Sequence, residues 1–284
     1  MNIRSLIVQP SVQAGLLLLA VIALYAGSLS APFAFDDFTF FSNAEMLSKY
    51  GQGHFSFELR WLPYASLAWT TDWLGFDRFW LRFGNVLLHA ANAIALLILL
   101  RRLFRVTLAG DPFDRAQDRD APGGMPPGLT SHLATASWGL SGMASSFTMT
   151  WFAWFGALIF ALHPVAVYGV AYLIQRSTLM ATLFMLLMLL SYLEGLLRGS
   201  WRWMLVAALC YFAAVYSKEH SIAAPGVALA LTLLVRKPSA ALFRQIAPYY
   251  AIATLIAVAV VWSTLSSKAV LGQVYETRAP GMLE

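Results

Sequence analysis

Apolar runs of about 15 to 20 residues recur along this chain, separated by shorter segments that collect nearly all of its charge. Candidate membrane spans fall at approximately 12–30, 83–100, 147–163, 178–197, 202–217, 221–235 and 246–265. Each is near the length a helix needs to cross a bilayer's hydrocarbon, and each holds few or no charges. No alternating pattern points to barrel strands, and lipid offers the backbone no hydrogen-bond partners, so the runs are expected to be helices. The predicted fold is all-α: a polytopic helical membrane protein with about seven transmembrane helices.

Composition agrees with the pattern. Of 284 residues, 59% are hydrophobic and only 12% charged, against about 25% charge in a soluble domain. This is the signature of an integral, multi-pass membrane protein. The formal net charge of +5 does not mark a nucleic-acid binder, because the cations sit at the ends of apolar runs rather than in one patch. The single cysteine, Cys210, lies inside an apolar run and reads as a small buried hydrophobe. An apolar stretch from about Ala14 to Leu29 follows Arg4 and lacks a small-residue cleavage pattern before Pro32, so it is expected as a retained first span.

The cations also predict orientation. Arg4, then Arg101, Arg102 and Arg105, then Arg198 and Arg202, then Arg236, Lys237 and Arg244 occupy one alternating set of connections. By the positive-inside rule this set faces the cytoplasm, which places the N-terminus inside and the C-terminus on the periplasmic side. The Ala/Leu-rich composition points to a bacterial inner membrane. The opposite set holds the 31–82 loop, the His163–Ser177 connection, the Lys218-Glu219-His220 turn and the C-terminal tail. Segment 31–82 interleaves Trp61, Trp69, Trp73, Phe76, Phe79 and Trp80 with charges, which predicts one or two amphipathic helices in the membrane interface. Segment 106–146 is rich in Gly and Pro and is expected as a flexible cytoplasmic loop. The tail from Ser266 to Glu284 is short and polar.

Candidate chemistry gathers on the outer set. Asp36 and Asp37 lie between Phe35 and Phe38, just after the first span, where carboxylates are costly to desolvate. The plain alternative is a pair of acids at the start of a short helix. His163-Pro164 follows the third span, and loose helical spacing after it would align Tyr168, Tyr172 and Arg176 along one side, beside Gln175. Arg176 can grip a phosphate in two-point fashion or simply snorkel to headgroups. Lys218-Glu219 reads either as a neutralised pair or as a phosphate-binding lysine positioned by its neighbour, and Arg60 is a further outer-face cation. His54, His163 and His220 show no metal-ligand spacing. There is no phosphate-binding P-loop, no dinucleotide fingerprint and no internal repeat.

Taken together, several blocks resemble one family: the Asp36-Asp37 loop; Arg60-Trp61-Leu62-Pro63; Phe83-Gly84-Asn85-Val86-Leu87-Leu88-His89-Ala90-Ala91-Asn92 leading into Arg101-Arg102-Leu103; Ala161-Leu162-His163-Pro164-Val165; Tyr172-Leu173-Ile174-Gln175-Arg176; and Ser217-Lys218-Glu219. Their order resembles the membrane half of the TMTC-type proteins, the transmembrane and tetratricopeptide-repeat O-mannosyltransferase-like family, and its bacterial relatives. The likeness covers nearly the whole chain except about 106–146. It implies a GT-C glycosyltransferase fold over 1–284, with 31–82 as the outer catalytic loop. It further implies transfer of a sugar from a polyprenyl-phosphate donor, undecaprenyl or dolichyl in type, to a protein or glycan acceptor. Asp36 or Asp37 would be the catalytic base. Arg176, Lys218 and Arg60 would hold the lipid phosphate, with His163, Tyr172, Gln175 and Glu219 in support. No cofactor is required by the pattern, although some GT-C enzymes use a divalent cation such as Mg or Mn. The family continues beyond seven spans into further helices and tetratricopeptide repeats, so the domain is expected to be incomplete at its C-terminal end. Two rival readings are a non-enzymatic or degenerate membrane scaffold and a small-molecule transporter. The transporter is disfavoured by the lack of an inverted repeat.

Overall fold

The computed structural model describes residues 9–51, 56, 58–109 and 146–278. Among them there are helices and no strands, as expected. In chain order the helices are α1 (Pro10–Tyr25), α2 (Asp36–Ser42), α3 (Ala44–Tyr50), α4 (Trp61–Leu74), α5 (Arg78–Ala109), α6 (Ser146–Leu162), α7 (Ala166–Ala171), α8 (Arg176–Arg198), α9 (Trp201–Ser217), α10 (Ala224–Val235) and α11 (Ala240–Arg278). The expected flexible segment 106–146 lies outside the described residues from 110 to 145.

All seven predicted spans coincide with helix, and four helical stretches are long and apolar enough to cross a membrane: Pro10–Ser28, Arg78–Thr107, Leu173–Arg198 and Ala240–Ser266. The apolar helices at 148–162, 201–217 and 219–235 are shorter. Helix α11 continues past the predicted seventh span, through Ser266 to Arg278. Sequence punctuation sets several ends. Pro10 opens α1 where a missing N–H costs nothing. Gly199 closes α8 in the left-handed conformation (φ 62°), and its N–H bonds the Gly195 carbonyl.

Helix α8 is the central strut. Packed on α9, α10 and α11 it forms one apolar cluster, which includes Met188, Tyr192, Leu193, Met204, Tyr211 and Tyr249. A second cluster joins α1, α5 and α6 through Leu17, Val21, Val86, Ala90, Ala153 and Ala157. Small residues on α5 and α6 let those backbones approach closely. The expected interfacial helices of 31–82 are instead partly folded into a third cluster, where Phe40, Phe41, Trp61, Leu67 and Leu81 meet Leu173. Trp73, Phe76 and Trp80 stay exposed.

The chain is broken between α6 and α8. Pro164 cannot continue α6, α7 lasts one and a half turns, and Tyr172 is extended (φ −90°, ψ 110°). Carbonyls freed by such a break need partners. A polar stripe on α5 supplies them. His89 Nε2 donates to the Ala161 carbonyl at 2.9 Å, Asn85 Nδ2 to those of Val170 (3.3 Å) and Leu173 (3.5 Å), and Arg82 Nε to that of Ala171 (3.2 Å). These side chains are all buried, and their spacing of three and four residues keeps them on one face.

The two sets of connections gather at opposite ends of the bundle. At one end Arg60, Glu219, Gln175 and Lys218 are joined by hydrogen bonds. At the other, Glu194 on α8 pairs with Arg102 on α5 and Arg198, while Arg236 Nη2 and Gln245 Nε2 donate to the Leu196 carbonyl.

The close packing of α5 on Arg176 gives a test of this architecture. A Cβ at Gly84 would lie 2.9 Å from Arg176 Nη2, which is pinned on all sides. Gly84→Ala should destabilise the purified protein by about 1–3 kcal/mol. Gly195→Ala should cost less, because the atom it meets is the mobile Met204 methyl. Thermal unfolding of both variants in one detergent decides it.

Candidate functional site

A cavity of about 400 Å³ opens at the first of these ends, lined by Asp36, Thr39, Arg60, Tyr64, Gln175 and Lys218, with Phe40, Ile174 and Ser177 completing it. It brings together four of the residues singled out from the sequence: Asp36, Arg60, Gln175 and Lys218.

The two aspartates have different surroundings. Both sit in the first turn of α2, a favourable place for negative charge. The side chain of Asp36 is exposed, and its backbone N–H donates to the Tyr172 hydroxyl at 3.2 Å. Asp37 is fully buried, and its carboxylate accepts the N–H groups of Leu173 (3.3 Å) and Ile174 (3.1 Å). Burial raises the Asp37 pKa, opposed by those N–H groups and by Arg82. Asp37 is therefore a backbone anchor for the turn Leu173–Gln175, whereas Asp36 is open to the cavity.

The cations divide in the same way. Lys218 Nζ donates to Gln175 Oε1 at 2.8 Å and Thr178 Oγ1 at 2.6 Å, and has no carboxylate partner among the described residues. Burial and the nearby Arg60 lower its pKa. Arg60 instead makes a two-point pair with Glu219, in which Nε donates to Oε2 at 3.0 Å. The bond to Glu219 raises the Arg60 pKa. So Glu219 neutralises Arg60 and does not position Lys218, the arrangement anticipated from the sequence. Arg60 also sits at φ 66°, and its N–H donates to the Tyr216 carbonyl at 2.7 Å, tying α4 to the end of α9.

Arg176 is not in the cavity. It is 3% exposed. Its Nε donates to Asn85 Oδ1 at 2.8 Å, Nη1 to the Ser66 carbonyl at 3.0 Å, and Nη2 to the Leu81 carbonyl at 2.6 Å. A guanidinium so enclosed has no face left for a phosphate. The expected alignment of Tyr168, Tyr172 and Arg176 on one short helix fails because that helix ends at Ala171. The Tyr172 ring packs against Tyr168 (5.5 Å) and Phe35 (5.9 Å), and burial, with the neighbouring Asp36, pushes its pKa up to about 12. His163 is exposed away from the cavity lining, with Nδ1 accepting the Val165 N–H at 3.2 Å.

No group of three His, Cys, Asp or Glu side chains is arranged for a divalent cation among the described residues, and Asp37 is already committed to backbone. Sequence reasoning missed the cavity residues Thr39, Tyr64 and Ser177, and missed the supporting role of Arg82, Asn85 and His89. The stripe was detectable as polar residues at helical spacing within an apolar run.

Comparison with protein-family models, with curated proteins and with solved structures finds no match.

The anchoring role of Asp37 is separable from charge. Asp37→Ala leaves two buried N–H groups unpaired and should destabilise by about 1–3 kcal/mol for each. Leu173 and Ile174 bond different carboxylate oxygens, so Asp37→Asn keeps one acceptor, turns an amide N–H toward the other backbone N–H, and should cost about half as much as Asp37→Ala. Because the folded-state pKa is raised, ionisation of Asp37 opposes folding: wild-type stability attributable to it is present at low pH and is lost as pH rises through the folded value. That slope should vanish in Asp37→Asn, as read by unfolding midpoints between about pH 4 and 7.

Proposed function

We propose that this chain is a GT-C-like membrane glycosyltransferase of seven crossings, with the cavity on the periplasmic face of a bacterial inner membrane. It would take sugar from a polyprenyl-phosphate donor and pass it to a hydroxyl of a protein or glycan acceptor. The observation that carries the reading is the sharing of one polar cavity by an open carboxylate, Asp36, and a cation without a carboxylate partner among the described residues, Lys218. Glycosyl transfer needs both. The acceptor hydroxyl gives its proton to the Asp36 carboxylate as its oxygen bonds the anomeric carbon. The bond from that carbon to the phosphate oxygen breaks, and its electron pair leaves with the lipid phosphate. Lys218 then takes up the developing charge.

The wider arrangement supports these roles. The lysine is held by neutral acceptors, Gln175 and Thr178, so it is oriented without being neutralised. Tyr64, Thr39 and Ser177 offer hydroxyls to a sugar. Exposed Phe35 and Phe38 flank Asp36, placing apolar surface where a lipid-linked donor would approach. In this reading Arg176 and Asp37 build the site and do not touch the substrate.

The test is turnover of a labelled sugar-phosphate-polyprenol by the purified chain with added acceptor. Asp36→Asn should lower transfer at least about 100-fold with an unchanged unfolding midpoint. Lys218→Ala should weaken binding of the donor lipid. Unchanged transfer in Asp36→Asn would sink the assignment. Absence of both donor binding and turnover in the wild type would favour the scaffold.

A further inference from the structure

Among the described residues at the end of the bundle opposite the cavity, cations outnumber acids. Glu194 is the acid that engages cations there, and Arg102 and Arg198 occupy its two oxygens. Four more cations follow or precede helix ends nearby: Arg105 on α5, Arg202 on α9, Lys237 in the α10–α11 link and Arg244 on α11. All four are exposed and have no carboxylate partner among the described residues. The surface beside them is apolar. Trp201, next to Arg202, is 60% exposed, and Phe243, next to Arg244, is 59% exposed.

We infer that this end is a binding surface for anionic phospholipid headgroups, formed where α9 and α11 begin. The pairing of an exposed aromatic ring with the adjacent cation on both helices decides the class of partner. A headgroup phosphate meets the guanidinium while the acyl chains lie along the ring and the apolar helix beyond it. Trp201 and Phe243 stand at the starts of apolar helices, so a partner with both a phosphate and an apolar chain matches ring and cation together. The α9 and α11 helices pack on each other within one core, so a lipid seated at both their starts bridges them. Glu194 already consumes the charges nearest the bundle axis, which leaves the peripheral four for the lipid. Clusters of this size beside membrane helices attract anionic headgroups strongly, and the attraction fades with salt.

The experiment compares binding of fluorescent phosphatidylglycerol and phosphatidylcholine to the detergent-purified chain. The wild type should prefer phosphatidylglycerol by at least about tenfold, with the preference shrinking at high salt. The R105Q/R202Q/K237Q/R244Q variant should lose the preference, and R105K/R202K/R244K should keep it. K218Q should keep it too, because that lysine lies in the cavity at the other end. Equal binding of both lipids by the wild type overturns the inference, as does a preference unmoved in the glutamine variant or lost equally in the lysine variant. Displacement by inorganic phosphate or an acidic peptide as readily as by unlabelled lipid would also overturn it. Loss in K218Q would move the lipid to the cavity.

Discussion

The fold depends on satisfying a broken backbone inside an apolar bundle. Between Leu162 and Arg176 the chain leaves α-helical geometry, and carbonyls there would lack partners in a setting that offers little water. Helix α5 meets that demand with Arg82, Asn85 and His89, each donating to the broken segment. Since a carbonyl only accepts, His89 carries its proton on Nε2 in this arrangement. Asn85 does double duty: its amide nitrogen donates to Val170 and Leu173, and its oxygen accepts from Arg176. Arg176 in turn reaches α4 through Ser66 and the start of α5 through Leu81. A buried cation held by carbonyls rather than a carboxylate is expensive unless its donors are well placed. The planar five-donor guanidinium suits that task in a way a lysine would not.

The break also creates the cavity. The turn Leu173–Gln175 hangs from Asp37, which takes two of its N–H groups, and it presents Gln175 to Lys218. Backbone strain collects at the edges of the same site: Phe35 (φ 50°) and Arg60 (φ 66°) are the non-glycine residues with positive φ among the described residues. Such conformations cost roughly 1–3 kcal/mol each and persist where surroundings over-determine them. Here the two Asp37 bonds follow directly on Phe35, and the Glu219 and Tyr216 contacts fix Arg60. The strain therefore sits where it turns Asp36 outward and Asp37 inward, giving adjacent identical residues unlike roles.

Much of this was legible in the sequence, and the divisions are instructive. Apolar run length located the helices, because membrane crossing and burial both demand it. Charge asymmetry separated the connections into two sets, and the structure gathers them at two ends. Of the residues singled out from the sequence, Asp36, Arg60, Gln175 and Lys218 line one cavity. Partnering was not legible. Whether Arg176 faces lipid or protein depends on Ser66, Asn85 and Leu81, which are 90 to 110 residues away in sequence. The Glu219 pairing was misjudged for the same reason: its adjacent neighbour Lys218 is the obvious partner, but Arg60 arrives from a distant loop with the fork geometry that fits both carboxylate oxygens.

The two ends of the bundle solve opposite electrostatic problems with similar residues. At the cavity end, Arg60 and Glu219 cancel each other and Lys218 and Asp36 are left to act. At the far end, one carboxylate binds two arginines, and Arg105, Arg202, Lys237 and Arg244 have no carboxylate partner among the described residues. A near-neutral end can be translocated across a membrane more readily than a strongly cationic one. Under the proposed orientation, the Asp36 cavity would lie on the face opposite the cytoplasm. Among the described residues, Asp36, Asp37 and Glu219 lie at the cavity end, and Glu194 is the carboxylate that engages cations at the other.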